Sequence, residues 1–104
     1  MIIEMRTYTL KPGSAAAYVK LYEEKGLEVH RRLLGNLIGY FTTEVGEINQ
    51  VVHLWGYDSF EDRQRRRKEL ATNEKWQVFL QLALPYFVDQ ETRLMYGTSF
   101  SPIQ

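Results

Sequence analysis

The chain has 104 residues, with 13 basic and 13 acidic side chains and no cysteine. That length makes a single domain, residues 1–104, with a modest core that gains from pairing with a partner. Balanced charge removes any general pull toward nucleic acid or anionic membrane, and the missing cysteines exclude disulfides, thiolate nucleophiles and cysteine metal sites.

Ile2 to Leu10 alternates as a strand, with Ile3, Met5 and Thr7 on one face and Glu4, Arg6 and Tyr8 on the other. The first set reads as an ordinary buried face. Lys11-Pro12-Gly13 turns the chain, and Ser14 is placed to cap a helix starting at Ala15. Ala15, Tyr18, Val19, Tyr22, Val29 and Leu33 recur at helical steps, with Gly26 as an interruption and Gly35 as the terminator.

Tyr40–Val45 and Gln50–Trp55 are rich in β-branched and aromatic residues and read as a hairpin. Gly46 and Asn49 stand in its loop, where unusual backbone angles are expected. His53, Trp55 and Tyr57 alternate, so they share one face of the second strand.

Ser59 caps a further helix that opens with Glu61 and Asp62 and has Phe60, Leu70 and Ala71 as apolar anchors. Asn73 caps another, Glu74 to Leu84, with Trp76, Phe79, Leu80 and Ala83 as its stripe and Pro85 at its end. Phe87 to Gly97 returns to strand, with Glu91 and Arg93 on one face and Gln90, Thr92 and Leu94 on the other. The polar tail from Thr98 to Gln104 is expected to cross the surface or a partner. Met1 runs directly into the first strand, so no cleavable signal is expected, and no segment approaches the roughly 20 apolar residues of a membrane span. A cytoplasmic protein is the expectation.

The order strand, helix, strand, strand, helix pair, strand predicts an α+β, ferredoxin-like βαββαβ sandwich with helices on one face of an antiparallel sheet. The sheet's other face would carry Arg6, Tyr8, Tyr40, His53, Trp55 and Tyr57, which is too aromatic to stay bare in water. Pairing of two sheets in a homodimer around a cavity covers it.

Ile3–Gly13, Thr42–Gly46, Asn49–Trp55, Tyr57-Asp58-Ser59 and Gln90-Glu91 together resemble the NIPSNAP family over nearly the whole chain. The resemblance implies a dimeric α/β-barrel built on a ferredoxin-like fold. Animal members are associated with mitochondria and vesicle traffic and usually carry targeting sequence and a tandem second domain; neither is expected for this chain, so those roles are not expected to transfer. The wider barrel superfamily, similar in fold only, includes cofactor-free monooxygenases, lactone isomerases and haem-binding enzymes.

His53 beside Trp55 invites proton transfer, since histidine titrates near neutral pH, with Glu4 or Arg6 as candidate partners. A histidine in an aromatic strand also satisfies itself by a hydrogen bond to a neighbour, and the bland reading has the greater weight. Arg6 and Tyr8 suit the anchoring of a carboxylate-bearing ligand, or Arg6 simply pairs with Glu4 or Glu91. Glu91 and Arg93 read as a register-setting edge pair.

The run Arg63-Gln64-Arg65-Arg66-Arg67-Lys68 reads as a solvated helix face paired to Glu61 and Asp62 rather than a nucleic-acid patch. His30 and His53 lie on different elements without metal-ligand spacing. No cofactor is expected, and nothing asks for haem at either histidine.

The functional expectation is a domain that binds a small apolar or anionic molecule without a cofactor. His53, Arg6 and Tyr8 are its candidate reactive groups, and Glu4, Tyr40, Trp55 and Tyr57 its candidate ligand contacts. The alternatives are a cofactor-independent monooxygenase or isomerase, with His53 as acid–base, and a protein-interaction module without ligand.

Overall fold

The computed structural model describes residues 1–104. Its elements are β1 (Ile2–Leu10), α1 (Ala15–Lys25), α2 (Leu27–Leu34), β2 (Asn36–Thr42), β3 (Gln50–Tyr57), α3 (Phe60–Ala71), α4 (Glu74–Ala83), a 3-10 turn (Leu84–Tyr86) and β4 (Phe87–Tyr96). The strands form one antiparallel sheet in the order β2-β3-β1-β4. This is the expected α+β, ferredoxin-like arrangement.

Local chemistry places the ends of the helices. The Ser59 hydroxyl accepts the Asp62 N–H at 3.0 Å and the Asn73 side-chain oxygen accepts the Trp76 N–H at 3.1 Å, both true N-caps. Ser14 stands at the N-cap of α1 but makes no cap bond; its hydroxyl donates to the Lys11 carbonyl at 2.6 Å. Gly26 separates α1 from α2. A Cβ there would meet the rings of Tyr22 and Phe79 at 3.0 and 3.1 Å, so the missing side chain is what lets the helix joint close over those rings. Gly35 ends α2 at φ +92° and ψ −67°, so the positive φ open to glycine is used as expected, but not in the left-handed helical conformation.

The hairpin differs in detail from the sequence reading. Its first strand starts earlier, at Asn36, and stops at Thr42, leaving a loop of residues 43–49. Gly46 takes the positive φ in that loop, and Asn49 does not. Asn49 works through hydrogen bonds: its side-chain oxygen accepts the Gly13 N–H at 3.0 Å and its carbonyl accepts the Leu10 N–H at 2.7 Å. The loop is thereby pinned to the β1–α1 turn.

The larger correction concerns the two faces of the sheet. Register puts Glu4 opposite Trp55, Arg6 opposite His53 and Tyr8 opposite Val51, while a shift at Ile38 brings Tyr40 opposite His53. These residues face the chain's own helices. Tyr8 packs edge-on to Tyr18, Tyr22 stacks on Tyr40 at 4.7 Å, and His30 of α2 lies 4.4 Å from the Trp55 ring.

The aromatic face is therefore the core and needs no second sheet to cover it. Met5, Thr7, Val52, Leu54 and the exposed Phe41 form the open side. The aromatic side chains won the helix layer because they bury far more apolar area than methionine and threonine do.

Candidate site between sheet and helices

A cavity of about 210 Å³ lies between the aromatic sheet face and the helices. Its sheet wall is Arg6 and Tyr8 of β1, Tyr40 of β2, His53 of β3, and Phe87 and Gln90 of β4. The helices contribute Tyr18 and Tyr22 from α1, His30 from α2, Arg67 from α3, and Trp76, Phe79 and Leu80 from α4. Leu80 and Gln90 are exposed, so the cavity reaches the surface between α4 and β4.

His53 is completely buried, and Trp55 donates its indole N–H to the Nδ1 atom at 2.6 Å. Indole has no acceptor, so Nδ1 must be the acceptor and the imidazole proton sits on Nε2. That Nε2 is buried without a hydrogen-bond partner, and so is the Tyr40 hydroxyl. The two rings stack at 4.6 Å, almost parallel, and Tyr8 meets His53 edge-on at 4.8 Å. Burial, with smaller contributions from the Arg6 and Arg67 charges, pushes the His53 pKa down to about 3. The ring is neutral across the physiological range.

His30 is held similarly. Its Nδ1 lies 2.7 Å from the Tyr22 hydroxyl, and burial, then His53 and the arginines, lower its pKa well below the usual imidazole range. Burial raises the Tyr18, Tyr22 and Tyr40 hydroxyls well above the ordinary phenol range, so they keep their protons. Arg6 donates through Nε to the Tyr8 hydroxyl and through Nη1 to Thr92, each at 3.0 Å.

Glu4 does not reach His53. It is fully buried and receives Arg63 through Nε at 2.9 Å and Nη2 at 2.5 Å, and the Tyr57 hydroxyl at 3.2 Å. Arg6 and Arg67 approach the same carboxylate at 3.6 and 3.9 Å. Tyr57, Glu4 and Trp55 thus support the cavity from behind instead of lining it. Among the candidate residues, Arg6, Tyr8, Tyr40 and His53 come together on the wall.

The arginine run is likewise not a solvated face throughout. Arg63 and Arg67 turn inward, Arg66 donates to the Leu33 carbonyl at 3.2 Å and to Asp62, and Arg65 also pairs with Asp62. Phe60 and Ala71 are exposed, which leaves Leu70 as the buried anchor of α3. Glu91 and Arg93 pair at 2.8 Å on the edge strand, as expected.

His30, Arg67, Tyr18, Tyr22, Trp76, Phe79 and Gln90 were not singled out from the sequence as site residues. Tyr18, Tyr22, Trp76 and Phe79 did carry a signal, their helical stripes, but a stripe does not say which core residues border a void. No group of three or more histidine, aspartate or glutamate side chains is disposed to hold a metal ion, and no helix is long and apolar enough to cross a membrane.

The NIPSNAP family model matches residues 3–102. Protein NipSnap homolog 3B of Mus musculus is 38% identical over 96 residues, which cover 89% of this chain and 38% of that protein. The chain thus spans well under half the length of such relatives. Atu4242 of Agrobacterium tumefaciens has a solved structure with TM-score 0.97 at 39% identity, covering both chains completely. An uncharacterised NIPSNAP-like domain protein of Burkholderia xenovorans gives TM-score 0.93 at 42% identity, over 97% of this chain and 88% of that one. A structure of an antibiotic biosynthesis monooxygenase reaches TM-score 0.66 at 14% identity over 94% of this chain and 99% of that one, which is likeness of fold alone.

Proposed function

This chain belongs to the NIPSNAP family, and we propose that it is a small-molecule binding domain whose ligand sits in the cavity between sheet and helices. One observation carries the reading: His53 Nε2–H and the Tyr40 hydroxyl are both buried at that cavity without partners. Leaving a buried donor unpaired costs about 1–3 kcal/mol, and native folds keep few such groups without a reason. A ligand oxygen supplies the missing acceptor. Size follows from volume. A dry cavity of roughly 150 Å³ takes benzene, so about 210 Å³ suits one ring with a few further atoms.

In this reading His53 is a neutral hydrogen-bond donor, which revises the acid–base role expected from its residue type. Its Nδ1 is occupied by Trp55, its Nε2 already carries the proton, and its pKa lies far below neutrality. An enzyme of cofactor-free monooxygenase or isomerase type would need a different base. Arg6, Tyr8 and Tyr40 serve as ligand contacts, with Glu4, Trp55 and Tyr57 holding them in place.

Pairing of two copies is the second part of the proposal. It runs through the open side of the sheet, where Met5, Val52, Leu54 and the exposed Phe41 give a mildly apolar surface.

The test of binding is isothermal titration with one-ring compounds bearing carbonyl, hydroxyl or carboxylate oxygens, beside gentle native mass spectrometry of freshly purified protein. Binding that weakens tenfold or more in Tyr40→Phe, with unchanged melting temperature, is the expected result. No binder in the panel and no extra mass on the protein would overturn it.

A further inference from the structure

Resting on the reading of the cavity as a binding site, we infer that its ligand is a small aromatic carboxylate, whose anion lies against Arg6 and Arg67. The cavity wall holds two guanidiniums and no aspartate or glutamate. The nearest carboxylate, Glu4, is already committed: Arg63 donates to one of its oxygens at 2.9 and 2.5 Å, and Tyr57 donates to the other at 3.2 Å. Arg6 and Arg67 stand at 3.6 and 3.9 Å, beyond hydrogen-bonding reach, and feel Glu4 only as a charge. One carboxylate among three guanidiniums leaves uncompensated positive charge beside the cavity.

Partly buried charges of one sign call for a counter-charge. A bound carboxylate supplies it and takes guanidinium donors in the fork geometry that suits them. The opposite wall favours a planar body, since Tyr18 and Tyr22 stack with rings nearly parallel, and Trp76 and Phe79 lie across from them. His53 Nε2–H and the Tyr40 hydroxyl then meet a second oxygen, or the second oxygen of the carboxylate. The same two arginines that would hold the anion help keep His53 uncharged, so the site offers its positive charge through arginine alone.

The test compares benzoate and salicylate with benzamide and salicylamide, their neutral counterparts of nearly equal shape, by protein-observed ¹H–¹⁵N spectra and calorimetry. The acids should bind at least tenfold more tightly than the amides, weaken as salt rises, and lose that advantage in Arg67→Met. Arg67 is partly exposed on α3, so this variant should stay folded, and Arg67→Lys, which keeps the charge but not the fork, should retain part of the preference.

Amides that bind as well as the acids would overturn the carboxylate inference while leaving the cavity a binding site. If neither class perturbs the signals of residues on the cavity wall, the binding-site reading falls and this inference with it.

Discussion

Trp55 donates its indole N–H to His53 Nδ1 at 2.6 Å, a bond between two fully buried rings two residues apart on one strand. Because indole only donates, this contact sets the histidine tautomer and makes Nε2 the donor at the cavity. Trp55→Phe removes it. The imidazole ¹⁵N shifts should then change from a pure Nε2–H pattern to a tautomer mixture, with stability lowered by about 1–3 kcal/mol through the lost bond and packing volume. An unchanged Nε2–H spectrum in the variant would show that something else fixes the proton.

Acid should destabilise this fold through its two histidines. Both are held neutral, His53 at about 3 and His30 well below the ordinary value of 6.5. The unfolded chain therefore binds more protons than the folded one below pH 6.5, and stability falls as pH drops. It is fully present above that value and is lost progressively toward the folded-state values, by up to about 1.4 kcal/mol per pH unit for each histidine. Urea midpoints at pH 7.5, 5.5 and 4.5 measure the slope, and His53→Asn should flatten it. A midpoint that does not move across that range would contradict the buried neutral state.

Glu4→Gln should act in opposite directions on stability and on anion binding. Glu4 ties β1 to α3 through Arg63 and is wholly buried. Removing its charge should cost about 2–4 kcal/mol, near the range for breaking a buried ion pair. The same change relieves Arg6 and Arg67 of their shared counter-charge, so benzoate should bind the variant more tightly than the wild type. Chemical denaturation and calorimetry on one preparation give both numbers, and a parallel loss of both would mean that Glu4 only maintains the shape of the site.

Phe41→Glu puts a charge on the open side of the sheet, on an exposed aromatic whose ring lies over Gly39. Sedimentation should show the wild type as a dimer and the variant as a monomer with unchanged melting temperature. A wild type that sediments as a monomer at micromolar concentration would remove the pairing proposal.

Gly26→Ala tests the helix joint. The new methyl would press on the Tyr22 and Phe79 rings, both part of the cavity wall. A loss of about 1–3 kcal/mol from overpacking is expected, with weaker ligand binding in proportion to the narrowed space.

Much of this was legible along the chain. Alternation put His53, Trp55 and Tyr57 on one face, and cap residues marked α3 and α4, because those signals are local. The assignment of faces went the other way for a physical reason. Ile3, Met5 and Thr7 resemble a core stripe in isolation, while Glu4 and Arg6 resemble a solvated one. Only their distant partners make the charged stripe buriable: Arg63 and Arg67, which reach Glu4, lie on α3, and nothing near Glu4 in the chain announces them. The run of arginines looked like surface for the same reason. Tyr40 joined the correct face through an irregularity at Ile38 that strict alternation does not contain.

The two tryptophans of this chain both lie against His30, with ring centres at 4.4 Å for Trp55 and 4.3 Å for Trp76, and Trp76 also borders the cavity. All tryptophan emission therefore originates in one neighbourhood. The protein carries its own optical reporter there: occupancy of the cavity should appear as a spectral shift or quench without any attached dye. A change in fluorescence on adding a compound would then report the site itself, undiluted by signal from the rest of the molecule.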